Sequence, residues 1–234
     1  MPNHVSSNLT ITGPVADVRR FVSLVDRSND TGKGAFDFNG VVTLPDELRG
    51  TRSPVLIQTQ AEIDNLWAEW NRRKNAGELQ EHELREGKPW GLGITQATSD
   101  ALIAKYGTDN WYDWALNNWG TKWGAYDATE WDVTEGENGN ATASISYNTA
   151  WSPATAFYIN ASEKFPTLAF DTQYADEGGG FVCETSYENG EITKDEDYEW
   201  DSVDGIEVRE AVGYGPFPED EDETEEDEQT TVTE

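Results

Sequence analysis

Basic residues are scarce in this chain of 234 residues: 16 Lys and Arg stand against 46 Asp and Glu, a formal net charge of -30 at pH 7. That excludes an ordinary nucleic-acid binder, whose cations must neutralise phosphates. Cysteine occurs once, at Cys183, so no internal disulfide forms and no second thiol is present for a metal site, a usage that fits a reducing cytosol. Histidine occurs twice, at His4 and His82. No run of eighteen apolar residues exists, and Met1 to Thr12 is polar and alternating rather than a charged start before an apolar block. Neither a membrane span nor a secretory signal is expected. The hydrophobic fraction is only 36%, yet ten Trp, nine Tyr and eight Phe supply the bulk a core needs.

The negative charge is unevenly placed. Met1 to Trp90 carries 13 acidic and 11 basic residues, whereas Gly91 to Glu234 carries 33 acidic and 5 basic. Adaptation to high salt would spread carboxylates over the whole surface, and the near-neutral first part argues against it. Glu219 to Glu228 holds nine carboxylates in ten residues, a density that repels compaction. The expected organisation is one folded domain over 1–218 and a disordered acidic tail over 219–234.

Along the chain, Val5, Leu9 and Ile11 alternate with polar residues, with the small Ser7 between them, as in a half-buried strand. Gly13-Pro14 starts a helix that carries Val15, Val18, Val22 and Val25 at helical spacing and runs to about Arg27. After a turn cluster at Asn29–Gly34, Phe36, Phe38, Val41 and Val42 predict a second strand. From about 46 to 118 the period is helical: Thr59-x-x-Glu62 is a capping box, a second helix runs over Ser99–Tyr106 to Gly107, and a third starts near Asn110. Trp131 and Val133 precede the strict alternation of Ala141, Ala143, Ile145 and Tyr147, a hairpin. Ser152-Pro153 opens a helix closed by Pro166. Strands follow at Leu168–Tyr174 and Phe181–Tyr187, with hairpin turns at Asn189-Gly190 and Asp204-Gly205. The pattern predicts an α+β fold: a ferredoxin-like split β-α-β antiparallel sheet with a helical insertion and a C-terminal β-hairpin extension.

Several segments carry a family likeness: Met1-Pro2-Asn3-His4-Val5 leading to Leu9–Gly13, Phe36–Asn39, Asn110–Trp114, Asn118–Trp123, Thr149–Pro153 and Phe165–Leu168. Over roughly Met1 to Tyr187 the chain resembles the YubB-type ferredoxin-like proteins of phages, prophages and plasmids, a largely uncharacterised group. Trp119–Trp123 and Trp151–Pro153 are the most specific parts, and Ala154 departs from the Ser-Pro-Pro associated with such proteins. The resemblance implies a mobile-element origin and a fold, and brings no catalytic residues with it.

Candidate chemistry is thin. The two histidines lack a nucleophile and an orienting partner, and read as structural or solvated. Cys183 alternates with Phe181 on a strand face and reads as an inert buried thiol. Carboxylates gather at Asp127, Glu130 and Asp132, and at Asp176-Glu177 beside Gly178–Gly180, without the spacing of a known cation loop; no metal and no cofactor is expected. The aromatic group Trp119, Trp123 and Trp151, with Lys122 as a cation, forms either an aromatic pocket or core. In Asp195–Asp201 the positions Asp195, Asp197, Glu199 and Asp201 would share one strand face, repeating at about 6.6 Å. Two such strands approach the charge spacing of one DNA strand, about 3.4 Å; the plain alternative is a solvated edge.

The expected partner is therefore a host protein with a basic nucleic-acid-binding surface, met by Asp195, Asp197, Glu199 and Asp201 and by the tail residues Glu219, Asp220, Glu221 and Asp222. Direct nucleic-acid or membrane binding and enzymatic activity are not expected. The expected function is that of an acidic phage or mobile-element protein in the host cytoplasm, a nucleic-acid mimic that inhibits a defence enzyme. The alternative is an accessory or structural interaction domain with a solubilising tail.

Overall fold

The alternation of Val5, Ser7, Leu9 and Ile11 is carried directly into a strand whose odd positions are buried. In a computed structural model, which describes residues 3–28 and 35–215, the elements run β1 (His4–Pro14), α1 (Val15–Val25), α2 (Asp46–Arg49), α3 (Gln60–Asn75), α4 (Glu81–Glu86), α5 (Gln96–Tyr106) and α6 (Trp111–Trp119). They continue with β2 (Asp132–Glu135), β3 (Asn140–Ala150), α7 (Thr155–Lys164), β4 (Ala169–Asp176), β5 (Val182–Glu188), β6 (Glu191–Asp197) and α8 (Val203–Ala211). The turn expected at Asn29–Gly34 and the tail at 219–234 lie outside the described residues.

β1 sits at the centre, antiparallel to β3 on one side and to β4 on the other, with Leu9 opposite Ile145 and Thr172. The six strands follow the order β2-β3-β1-β4-β5-β6, all antiparallel. The unit β1-α1-β2-β3-α7-β4, in the order β2-β3-β1-β4, is the ferredoxin-like fold. α2 to α6 are inserted between α1 and β2, and β5-β6 extends the sheet as a hairpin through the turn at Asn189-Gly190. α1 and α7 contribute Val18, Phe21 and Val25, and Phe157, Tyr158 and Ala161, to one core with Leu9, Ile11, Phe170 and Tyr187. Ala175 and Val182 point from the opposite face, where α8 covers them with Val208.

Aromatic rings fill much of this core. Phe38 stacks on Phe157 at 4.2 Å between centroids, and Phe36 meets Phe38, Tyr147 and Trp131 edge-on at 4.9, 5.1 and 5.3 Å. Such pairs add about 0.5–1.5 kcal/mol each beyond burial. The insertion is fastened at its ends: Trp119 Nε1 donates to the Val42 carbonyl at 2.8 Å, and Asn160 Nδ2 to the Asn118 carbonyl at 3.1 Å. Its middle is looser, with Trp70 the one buried residue of α3.

Two expected elements differ. Phe36–Val42 is not a strand: Asp26 and Phe36 form an isolated bridge and Phe38–Gly40 is a 3-10 turn. Asp37 accepts the Asn39 N–H at 3.0 Å and Asn39 Oδ1 accepts the Leu44 N–H at 3.1 Å, so side chains satisfy a backbone that would otherwise seek a ladder. Gly40 lies so close to Leu24 that an added Cβ would be 1.8 Å from its carbonyl oxygen. Asp204-Gly205 is not a hairpin turn either, because both residues lie in α8. Ser202 caps that helix by accepting the Gly205 N–H at 3.0 Å.

Phe38→Ala removes the stacked ring from the joint between the connector and α7. Urea unfolding followed by circular dichroism should show a loss of about 3–5 kcal/mol, while Leu84→Ala, at a half-exposed position, should stay within about 0.5 kcal/mol of the parent.

Candidate functional site

β6 is the outer edge of the sheet, and all seven of its residues are exposed. Among the described residues its backbone is paired on one side only, to β5, which leaves the N–H and C=O groups of the other side without a strand partner there, flanked by carboxylates. Asp195 and Asp197 share one face, as the period-two pattern predicts. Asp195 accepts from Thr185 Oγ1 at 3.2 Å, and Asp197 lies 3.5 Å from Cys183 Sγ. The expected four-carboxylate face is shorter than the sequence pattern implies: β6 ends at Asp197, and Glu199 and Asp201 lie in the turn that leads into α8. The turn forms because the Glu199 carbonyl accepts the Ser202 N–H at 3.0 Å and Ser202 Oγ at 2.8 Å. Glu219, Asp220, Glu221 and Asp222 lie outside the described residues.

The opposite face of the same edge is a neutralised patch. Glu184, projecting from β5, accepts from Lys194 Nζ at 2.5 Å, Gln173 Nε2 at 2.6 Å and Tyr198 OH at 3.0 Å. Burial raises its pKa, but the three donors outweigh burial and hold the carboxyl below its ordinary range. Sequence reading missed this residue, although Glu184 occupies the polar phase of the Phe181–Tyr187 alternation.

The aromatic group divides into core and surface. Trp119 is buried, with its N–H engaged by Val42. Trp123 and Trp151 are 37% and 47% exposed, and between them lies Lys122, whose Nζ is 4.7 Å from the Trp123 ring centroid and 4.5 Å from that of Trp151. The segment is anchored by Thr121 Oγ1 to the Ala150 carbonyl at 3.0 Å and Ser152 Oγ to the Gly120 carbonyl at 2.7 Å. Beside it, Trp151 N–H donates to the Asn3 carbonyl, which brings the His4 region close. His4 Nδ1 is 2.6 Å from Tyr126 OH, and that hydroxyl donates to the Thr149 carbonyl at 3.1 Å. Burial, with Asp127 and Glu177 adding to it, pushes the Tyr126 hydroxyl up to about 12, so it keeps its proton at neutral pH.

The remaining candidates are structural. Asp176 is buried, and its Oδ2 accepts the N–H groups of Gly178 and Gly180 at 3.2 Å each, so the turn itself consumes the carboxylate. Among the described residues no group of three or more His, Cys, Asp and Glu is placed to hold a metal ion. His82 lines a groove of about 490 Å³ in the insertion with Arg52, Lys88, Pro89 and Trp90, a feature no motif announced. Among the described residues no helix is long and apolar enough to cross a membrane.

Residues 122–233 match the family model described as "Ferredoxin-like domain in Api92-like protein". The crystal structure of a protein api92 from Yersinia pseudotuberculosis is similar over 85% of this chain and 98% of that one, at 10% identity and a TM-score of 0.42. No curated protein matches this chain.

Burial, with Asp197 beside it, pushes the Cys183 thiol up to about 12. A raised pKa keeps the acid form, here the unreactive thiol, at every pH well below that value. At about pH 8 a disulfide reagent that colours on thiol exchange should leave the native chain unlabelled and react promptly after unfolding in guanidinium.

Proposed function

We propose that the chain is a non-enzymatic binding protein whose acidic half engages a basic, nucleic-acid-binding surface on a partner protein. The observation that carries this reading is the polarised charge. Residues 126–215 hold 20 carboxylates and 3 Lys and Arg, and the free edge of the sheet concentrates Glu191, Asp195, Glu196 and Asp197 on an exposed strand. Of the three cations, Lys194 is bound to Glu184 and Lys164 donates to the Val41 carbonyl. The field over this half is therefore negative, which steers association with a basic groove and repels nucleic acid itself. The likeness to YubB-type proteins supports an origin on a mobile element. With it, the partner becomes a host enzyme of defence in the host cytoplasm, inhibited by occupation of its nucleic-acid site.

A second reading, an accessory interaction domain, is favoured by the groove at Arg52, Lys88 and Trp90, since Trp90 is 89% exposed. Truncation at Gly215 and removal of the edge charges distinguish the two. Affinity purification from host lysate should retain DNA- or RNA-binding proteins that added duplex DNA releases, and retention should weaken sharply between about 50 and about 300 mM salt. The triple variant Asp195→Asn, Glu196→Gln, Asp197→Asn should lower that retention and flatten its salt dependence. Recovery that neither DNA nor salt disturbs would sink the acidic reading.

A further inference from the structure

An ammonium placed between two half-exposed indoles is an unusual use of a surface lysine. Lys122 Nζ stands 4.7 and 4.5 Å from the ring centroids of Trp123 and Trp151, and among the described residues no carboxylate lies within ion-pair distance of it. The two rings thus already bind a cation through their faces. The backbone that presents one of them is strained, because Trp151 has φ 69°, a left-handed conformation that bulky residues avoid. It is held there by Trp151 N–H to the Asn3 carbonyl at 3.0 Å and by Thr149 Oγ1 to the Ser152 carbonyl at 2.8 Å. An indole with 47% of its surface exposed contributes modestly to the core. The turn alone is better served by Gly or Asn, which accept this conformation at less cost.

We propose that Trp123 and Trp151 form a clamp for the guanidinium of an arginine on a basic partner, with Lys122 as a resident cation that the arginine displaces. The inference rests on the acidic-half reading and names the contact through which that half gains specificity. Guanidinium is planar, less strongly hydrated than ammonium and stacks on aromatic faces, so it outcompetes Lys122 for the same gap. Lys122 on release enters water, where its charge is fully solvated. The Trp151 N–H donates to the Asn3 carbonyl and Glu177 accepts the N–H of the next residue, His4, at 2.8 Å, so a carboxylate is held next in line to the clamp. Tryptophan is also among the residue types that dominate binding energy at protein interfaces.

The test is a calorimetric titration of the full chain with a tetra-arginine peptide and with the same peptide in citrulline form, which keeps shape and loses charge. Arginine should bind and citrulline should not. Lys122→Ala should bind tetra-arginine about threefold tighter, because the internal competitor is gone. Trp151→Asn, a residue tolerant of the left-handed turn, and Trp123→Leu should each weaken binding about tenfold, with thermal melts confirming that both variants remain folded. Unchanged or weaker binding by Lys122→Ala overturns the proposal, as does full binding by folded Trp151→Asn. If binding falls with Asp195→Asn, Glu196→Gln, Asp197→Asn but ignores both indoles, the clamp is wrong and the acidic-edge reading stands. If binding depends on the indoles and rejects citrulline, yet the chain retains no DNA- or RNA-binding protein, the clamp stands and the acidic-half reading falls.

Discussion

The stacked contact of Phe38 on Phe157 is the centre of a joint at which four parts of the chain meet. Phe38 comes from the connector that follows α1, Phe157 from α7 on the sheet, and Tyr147 and Trp119 close around the pair from β3 and the last helix of the insertion. Large rings supply much of the core volume beside the aliphatic side chains, and their edge-on geometry fixes orientation as well as volume. The connector needs no strand pairing because this joint, together with the Asn39 and Asp37 side-chain bonds, already holds it.

Given that rigid joint, charge is free to follow a separate rule. Cations in the first half are largely engaged locally: Arg73 pairs with Glu83, Arg72 with Glu69 and Glu78, and Arg49 with Asp46. Such exposed pairs add little stability, but they cancel the field of the insertion. The acidic half has no comparable supply of cations, so its carboxylates are answered by hydroxyls, backbone N–H groups and water. Asp176 in its turn and Asp195 at Thr185 are examples. The result is a molecule with one electrically quiet end and one strongly negative edge.

Strict alternation made β1, β3, β4 and β5 legible, because one face of each is buried by helices and the period of two survives in the residue types. Capping residues likewise announced α3 at Thr59, α5 at Gly107 and α6 at Asn110. Two elements were misread for opposite reasons. At Phe36–Val42 apolar residues suggested a strand, but burial there comes from ring packing against a 3-10 turn. At Asp204-Gly205 the hairpin signal was overridden by the Ser202 cap and by Val208 packing on Ala175 and Val182. The candidate site was half legible: the acidic edge could be read from spacing, whereas the placement of Lys122 between Trp123 and Trp151 depends on the turn after β3 and on a helix end 30 residues earlier in the chain, which no local pattern encodes.

The clasp between Trp119 and the Val42 carbonyl has a consequence for how this architecture can change over time. It joins the two ends of the insertion between α1 and β2, so what lies between them hangs from a closed neck. Lengthening a loop whose ends are already held together costs only about 0.6 kcal/mol per doubling. The part of the insertion that stands outside the main core, α3 and α4, is thus the part that is free to vary, whereas Leu48, Leu102 and Trp114 belong to that core. A designer could exchange α3 and α4 for another helical module while leaving in place the core that Leu48, Leu102 and Trp114 complete.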